Sequence, residues 1–242
     1  MERNRLRAKE EILHHTHELI QALTEADLSK VAVAREEILR NADIVFKTEA
    51  EKLNTYKIVA ASYQGAYNQG EALPIVKKIV KITREIYPKN SPEQIAAYDM
   101  LAYTYLAAGK CQEALQLAEE IERFYTGKYG TEDRKTIRMT ALVGRIQRKM
   151  GEYEQGFQEL CQAYQTAEEF YGSTDLETLN YKRELAMCEY YLGNRNAAYE
   201  NMRKIYDICL QQYGEYNTIT LKTSQNLLEM VKELNQENGE VM

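Results

Sequence analysis

Arg138, Arg145 and Arg148, with Ala141 between them, stand at offsets of 3, 7 and 10 and would share one stripe of an α-helix. A guanidinium makes bidentate contacts with carboxylates and stacks on aromatic rings. A run of one sign beside Tyr and Met residues therefore suits an acidic peptide that carries an apolar anchor. The plainer reading is a solvated helix face that needs polar residues somewhere. All three histidines fall in His14-His15-Thr16-His17. His14 and His17 are three apart, a helical spacing that can hold an ion, but the sequence identifies no carboxylate or cysteine partner, and two ligands are too few for a specific site. Surface histidines are expected there, with no metal site and no cofactor. Catalytic constellations are missing as well: no nucleophile elbow, no phosphate-binding glycine loop and no His-Glu-x-x-His. Glu36-Glu37 and Glu119-Glu120 read as solvated helix faces. The expectation is a protein that is not an enzyme.

The elements that position these residues repeat. Gly109, Gly151 and Gly193 are spaced by 42, as are Tyr129-Gly130, Tyr171-Gly172 and Tyr213-Gly214, and Thr136, Thr178 and Thr220. A fixed period of this size marks an array whose units bury their apolar faces against neighbours. Within one period, Ile95, Leu101, Ala102 and Tyr105 recur at helical spacing before Gly109. Glu113-Ala114, Leu117, Ala118 and Ile121 then form a second amphipathic run. The short turn between them predicts an antiparallel hairpin, with Ala102 and Ala114 allowing close approach at the crossing. Val143-Gly144, Gly151 and Gly156 repeat the pattern, and so do Leu185-Ala186, Gly193 and Ala198. Upstream, Val59-Ala60, Tyr63 and Glu71-Ala72 fill the same slots, although Tyr67 replaces the turn glycine.

Helix starts give the sharpest local signal. Ser91, Asp133, Asp175 and Asn217 also keep the 42-residue period, and all four are strong N-cap residues. Pro92 suits the first helical position, Gln94 completes a capping box with Ser91, and Thr48 with Glu51 offers another. Residues 1–47 are less regular. Leu6, Ile12, Leu19, Ile20 and Leu23 suggest one helix; Asp27 or Ser29 would cap a second, carrying Val31, Ala34, Ile38, Leu39, Ala42 and Val45. Tyr87, Tyr129, Tyr171 and Tyr213 keep the period near the ends of second helices and are expected to pack between repeats. The predicted organisation is a degenerate hairpin over 1–47, repeats over about 48–90, 91–132, 133–174 and 175–216, and a capping helix with tail over 218–242. That helix carries Leu227, Leu228, Val231 and Leu234.

Composition agrees with helices that have one wet face. The 242 residues include 28% charged side chains, interspersed rather than blocked, with only three prolines. A net charge of −6 disfavours general phosphate-backbone binding, so no nucleic-acid partner is expected. The charged N-terminus lacks the apolar stretch of a signal peptide, and no window is long and apolar enough to span a bilayer. Cys111, Cys161, Cys188 and Cys209 show no Cys-x-x-Cys spacing and are expected to be reduced thiols in small core positions of a cytoplasmic protein.

With these landmarks the chain resembles the tetratricopeptide repeat family, in the 42-residue form found in kinesin light chains and related bacterial proteins. Leu101-Ala102, Tyr105, Gly109, Glu113-Ala114, Gly130 and Thr136 fit that pattern. The family's His-Pro slot instead holds Ser91-Pro92, Asp133-Arg134, Asp175-Leu176 and Asn217-Thr218, keeping the cap while mostly losing the proline. The Tyr slot becomes Gln147 and Glu189 in later units. The likeness covers roughly residues 48–235. It implies an all-α, right-handed solenoid of antiparallel helix pairs, about five hairpins and a C-terminal cap, whose first helices line a concave face that binds peptides or proteins.

Mapped onto this chain, that face would comprise Arg138, Ala141, Arg145, Arg148 and Lys149. The next helix would add Asn180, Arg183, Met187 and Tyr190, and the preceding one Asp99, Tyr103 and Leu106. The expected function is a binding scaffold for protein or peptide segments, with acidic segments suited to the arginine stripe. Two alternatives are a peptide-sensing regulatory domain that changes superhelical shape to control an effector, and a self-assembly module using its terminal helices.

Overall fold

A computed structural model describes residues 2–65 and 68–237, and these residues form helices with no strand among them. In order they are α1 (Glu2–Thr24), α2 (Leu28–Val45), α3 (Leu53–Gly65), α4 (Leu73–Ile86), α5 (Pro92–Ala107), α6 (Cys111–Tyr129), α7 (Arg134–Met150), α8 (Tyr153–Tyr171), α9 (Leu176–Tyr191), α10 (Arg195–Tyr213) and α11 (Thr218–Glu237). A 3₁₀ turn, Gln69–Ala72, leads into α4. The reading at Tyr67, the side chain of Leu234 and the tail beyond 237 lie outside the described residues. No described helix is long and apolar enough to cross a membrane. The chain divides into two compact units, Met1–Leu117 and Ala118–Met242.

Each of the four periodic caps forms. The Ser91 hydroxyl accepts from the amide of Gln94 at 3.3 Å, and Asp133 accepts from Lys135 at 2.9 Å. Asp175 accepts from both Glu177 and Thr178, and Asn217 from Ile219 at 2.9 Å. These amides have no partner inside their own helix, so a side-chain oxygen at this slot fixes where the helix begins. For α2 the structure selects Asp27, which accepts from the amide of Lys30. The Thr48–Glu51 capping box also closes in both directions, but it sits on a turn and α3 begins only at Leu53.

Helix ends are equally explicit. Gly151 has φ of 85°, and the amides of Gly151 and Glu152 reach back to the carbonyls of Arg148 and Gln147. That is the left-handed termination for which glycine is suited. The hairpin of α7 and α8 is tight because Gly144 and Gly156 face each other. A methyl group on Gly156 would lie 2.8 Å from the Gly144 carbonyl oxygen, and one on Gly144 would lie 2.9 Å from that of Gly156. Ala102 and Ala114, expected at such a crossing, are completely buried.

In the first unit, the core gathers Leu19, Ala22, Val31, Ile38, Val59 and Ile79 with their neighbours. Helix α1 contributes less than its apolar content suggests. Leu19 is buried and Ile12 half-buried, whereas Leu6 and Ile20 face outward. Val31, Ala34, Ile38, Ala42 and Val45 of α2 are all buried.

In the second unit, apolar clusters follow one another along the chain. Ile137, Ala141, Leu160 and Ala163 form one, and Ala186, Met187, Tyr190 and Met202 another. Met230 of α11 enters the latter, with Leu227 packed against it. Leu228 remains exposed, so the contact of this helix runs through Met230, a residue absent from the apolar pattern read in the sequence. Two tyrosines of the periodic series tie successive repeats by their hydroxyls. Tyr171 donates to the carbonyl of Glu132 and Tyr213 to that of Thr174, each spanning 39 residues of chain. Arg134 adds to this joint, stacking 4.0 Å above the Tyr171 ring while pairing with Asp175 and Glu177. Of the four free cysteines, Cys188 and Cys209 are buried and Cys111 and Cys161 half-buried.

Candidate partner-binding surface

Helices α7 and α9 are neighbours in the second unit and carry most of the residues expected to meet a partner. Three of those arginines converge on one side chain that the sequence reading missed. Glu184 is 2% exposed, with Arg183 Nη2 at 2.5 Å, Arg148 Nη2 at 2.7 Å and Arg145 Nε at 3.2 Å. Burial alone would strongly raise its carboxyl pKa. The three guanidinium groups overcome that penalty and hold it well below the usual carboxylate range.

Arg183 is itself buried; its Nη1 donates to Asn226 Oδ1 and its Nη2, at 3.1 Å, to Asn180 Oδ1. Burial pulls its pKa down, with Glu184 opposing and Arg145 and Arg148 adding repulsion. For Arg148, desolvation also acts downward, but Glu184 outweighs it and the pKa ends raised. Lys222 of α11 completes the group. Its ammonium pKa is lowered first by desolvation, then by repulsion from Arg145 and Arg183. A single carboxylate thus serves several cations, and the cluster keeps an excess of positive charge. Arg145 and Arg148 remain partly open to solvent, at 26% and 16% side-chain exposure.

The other expected residues fall elsewhere. Met187 and Tyr190, read as lining a groove, are 3% and 2% exposed and belong to the core, where the Tyr190 hydroxyl points to the Met230 carbonyl. The correction has a simple cause. Helix α9 is covered on several sides, by α8, α10 and α11 as well as α7, so positions away from one stripe are also buried. Ala141 is likewise core. The accessible aromatic here is Tyr191, 42% exposed and stacked on Tyr153 with ring centroids 4.9 Å apart. Lys149 is exposed at the end of α7, and Arg138 is half-buried near its start. Asp99 and Tyr103 lie on α5 in the first unit, Asp99 buried and Tyr103 half-buried, with Leu106 in the core.

Sequence did contain a signal for Glu184. Going back one period, its column holds Leu142, which is fully buried, and then Met100; one period forward it holds Asn226. An acid in a column that is apolar in the two preceding repeats has to find cations. On α1, the histidine cluster also gains a partner. His15 Nδ1 lies 2.6 Å from Glu18 Oε2, and His14 Nε2 lies 3.4 Å from Glu18 Oε1. His17 instead donates from Nδ1 to the Leu13 carbonyl.

No protein-family model matches the chain, and no curated protein does. Solved structures match it over most of its length. A putative kinesin light chain from Podosopora anserina with nearly identical TPR-like repeats shares 18% identity over 84% of this chain and 96% of its own, at a TM-score of 0.62. Aspartyl phosphate phosphatase F from Bacillus subtilis shares 13% identity over 98% of this chain and 63% of its own, at a TM-score of 0.67. A Rap protein complexed with Competence and Sporulation Factor shares 11% identity over 96% and 74%, at a TM-score of 0.59. The fold is that of the tetratricopeptide-like repeats, built from successive helix pairs. Identities this low speak to fold and not to activity.

Proposed function

We propose that the protein is a non-enzymatic scaffold that binds a protein or peptide segment of acidic character through the α7–α9 surface of its second unit. The observation that carries this reading is the arginine cluster around Glu184, where three guanidinium groups share one carboxylate and two of them remain partly open to solvent. Glu184, Asn180 and Asn226 hold the guanidinium groups in place before any partner arrives, so little side-chain entropy is left to lose on binding. An incoming carboxylate would find donors already oriented and only partly satisfied. Tyr191, stacked on Tyr153, supplies an apolar face for an anchor residue in place of the buried Met187 and Tyr190. Arg138, Lys149 and Asn180 would extend the surface along α7 and α9. The fold supports the same reading by example, since the Rap protein of similar fold was solved in complex with Competence and Sporulation Factor.

The test is a titration of a fluorescent acidic peptide carrying one aromatic residue against the full chain at two salt concentrations. Affinity should fall as salt rises, and Arg145→Gln with Lys149→Glu should weaken binding by about tenfold or more, while Lys149→Glu alone should leave the thermal midpoint near that of the parent. Lys149 makes no ion pair among the described residues, so its reversal tests charge without disturbing Glu184. Unchanged affinity in that double variant would remove this surface from partner binding.

A further inference from the structure

Every histidine of the chain lies within four residues of α1, and two of them share a carboxylate. His14, His15 and Glu18 each present a donor atom, and the three donors all lie within 4.8 Å of one another. We propose that this trio is a binding site for a divalent transition cation of the zinc class, ligated by His14 Nε2, His15 Nδ1 and the Glu18 carboxylate, with water completing the shell.

Distances favour such a site. Two ligands each about 2.0–2.2 Å from a tetrahedral zinc lie roughly 3.3 Å apart. His14 Nε2 and Glu18 Oε1 are 3.4 Å apart already. His15 Nδ1 and Glu18 Oε2, now 2.6 Å apart across a proton, need to open by about 0.7 Å when the ion replaces that proton, and the two imidazole nitrogens, within 4.8 Å of each other, can draw together by side-chain rotation. Imidazole with carboxylate is a donor set that selects zinc, copper or nickel over magnesium and calcium, which prefer all-oxygen shells.

The second observation concerns the far side of the His15 ring. His15 is only 16% exposed, and its other nitrogen, Nε2, faces Glu11 Oε2 at 3.6 Å and Glu37 Oε2 at 3.9 Å. A metal-bound histidine characteristically turns its remaining N–H toward a carboxylate, which fixes the tautomer and makes the ligating nitrogen more basic. Here that support comes from both helices of the first hairpin, Glu11 on α1 and Glu37 on α2. His17 has no share in the arrangement, because its Nδ1 is spent on the Leu13 carbonyl.

The test uses the full chain, stripped with a chelator and kept reduced, titrated with zinc chloride by calorimetry and with cobalt chloride by visible absorption. One equivalent should bind, with a rise in thermal midpoint. His14→Gln/His15→Gln and, separately, Glu18→Gln should abolish uptake, whereas His17→Gln should retain it. Glu37→Gln should keep the stoichiometry and weaken affinity by about 10-fold or more. Magnesium and calcium should give no heat. The proposal is overturned if the parent takes up no metal, if the double histidine variant binds as the parent does, or if cobalt develops a thiolate charge-transfer band, which would move the ion to a cysteine.

Discussion

At the scale of single residues, Glu184 governs the second unit's electrostatics. It is a buried anion whose removal leaves Arg183 buried and short of its counter-charge. Breaking such a pair from one side costs about 3–5 kcal/mol. Glu184→Gln should therefore lower the unfolding free energy by roughly 3 kcal/mol at neutral pH, the low end because two of the arginines can turn toward water. The pH dependence has a definite sign. The folded-state pKa of Glu184 lies below its ordinary value of 4.5, so its stabilisation is complete above that pH and is lost as pH falls toward the folded value. Urea melts between neutral pH and about pH 3 should show a shallower decline for Glu184→Gln than for the parent; identical slopes would mean the carboxylate is not held ionised. Caps act at the same scale. Asp175→Ala, which removes both an amide acceptor and a partner of Arg134, should cost about 1 kcal/mol, readable as a shift in the same melts.

Individual elements show why part of the site was legible and part was not. The arginine stripe on α7 follows from spacing alone, because offsets of 3, 7 and 10 survive any tertiary context. Burial on α9 does not. Its sequence alternates apolar and charged residues so closely that no single face stands out, and only its several neighbours explain why Tyr181, Arg183, Glu184, Met187 and Tyr190 are all inaccessible. The four caps could be read because a cap is a local arrangement of one side chain and the next few amides. The role of Met230 could not, since α11 offers Leu227, Leu228 and Val231 as equally apolar choices. The α7–α8 hairpin supplies a prediction of its own. Gly156→Ala places a methyl group against backbone atoms of Gly144 and Arg148, neither of which can rotate away. The hairpin must part slightly, and the expected loss is about 1–3 kcal/mol in a chemical melt. Equal stability would show that the two helices are not in contact at these glycines.

For the molecule as a whole, a repeat array derives its stability from contacts between neighbouring units, so damage at one end should stay near that end. Deleting residues 218–242 removes Met230 from the cluster of Ala186, Met187, Tyr190 and Met202 and takes Asn226 away from Arg183. Hydrogen exchange should then accelerate most in α9 and α10 and much less in α7 and α8. Uniform acceleration across the second unit would indicate one indivisible cooperative block instead.

The capping slot has a further consequence. Serine, aspartate and asparagine all perform there, because the helix start asks only for a short side chain with an oxygen in reach of the next amides. The Tyr171 and Tyr213 hydroxyls, likewise, meet backbone carbonyls, whose chemistry no substitution alters. Architecture anchored this way to the peptide group tolerates extensive drift in residue identity, and lineages could share its geometry long after their letters have ceased to resemble one another.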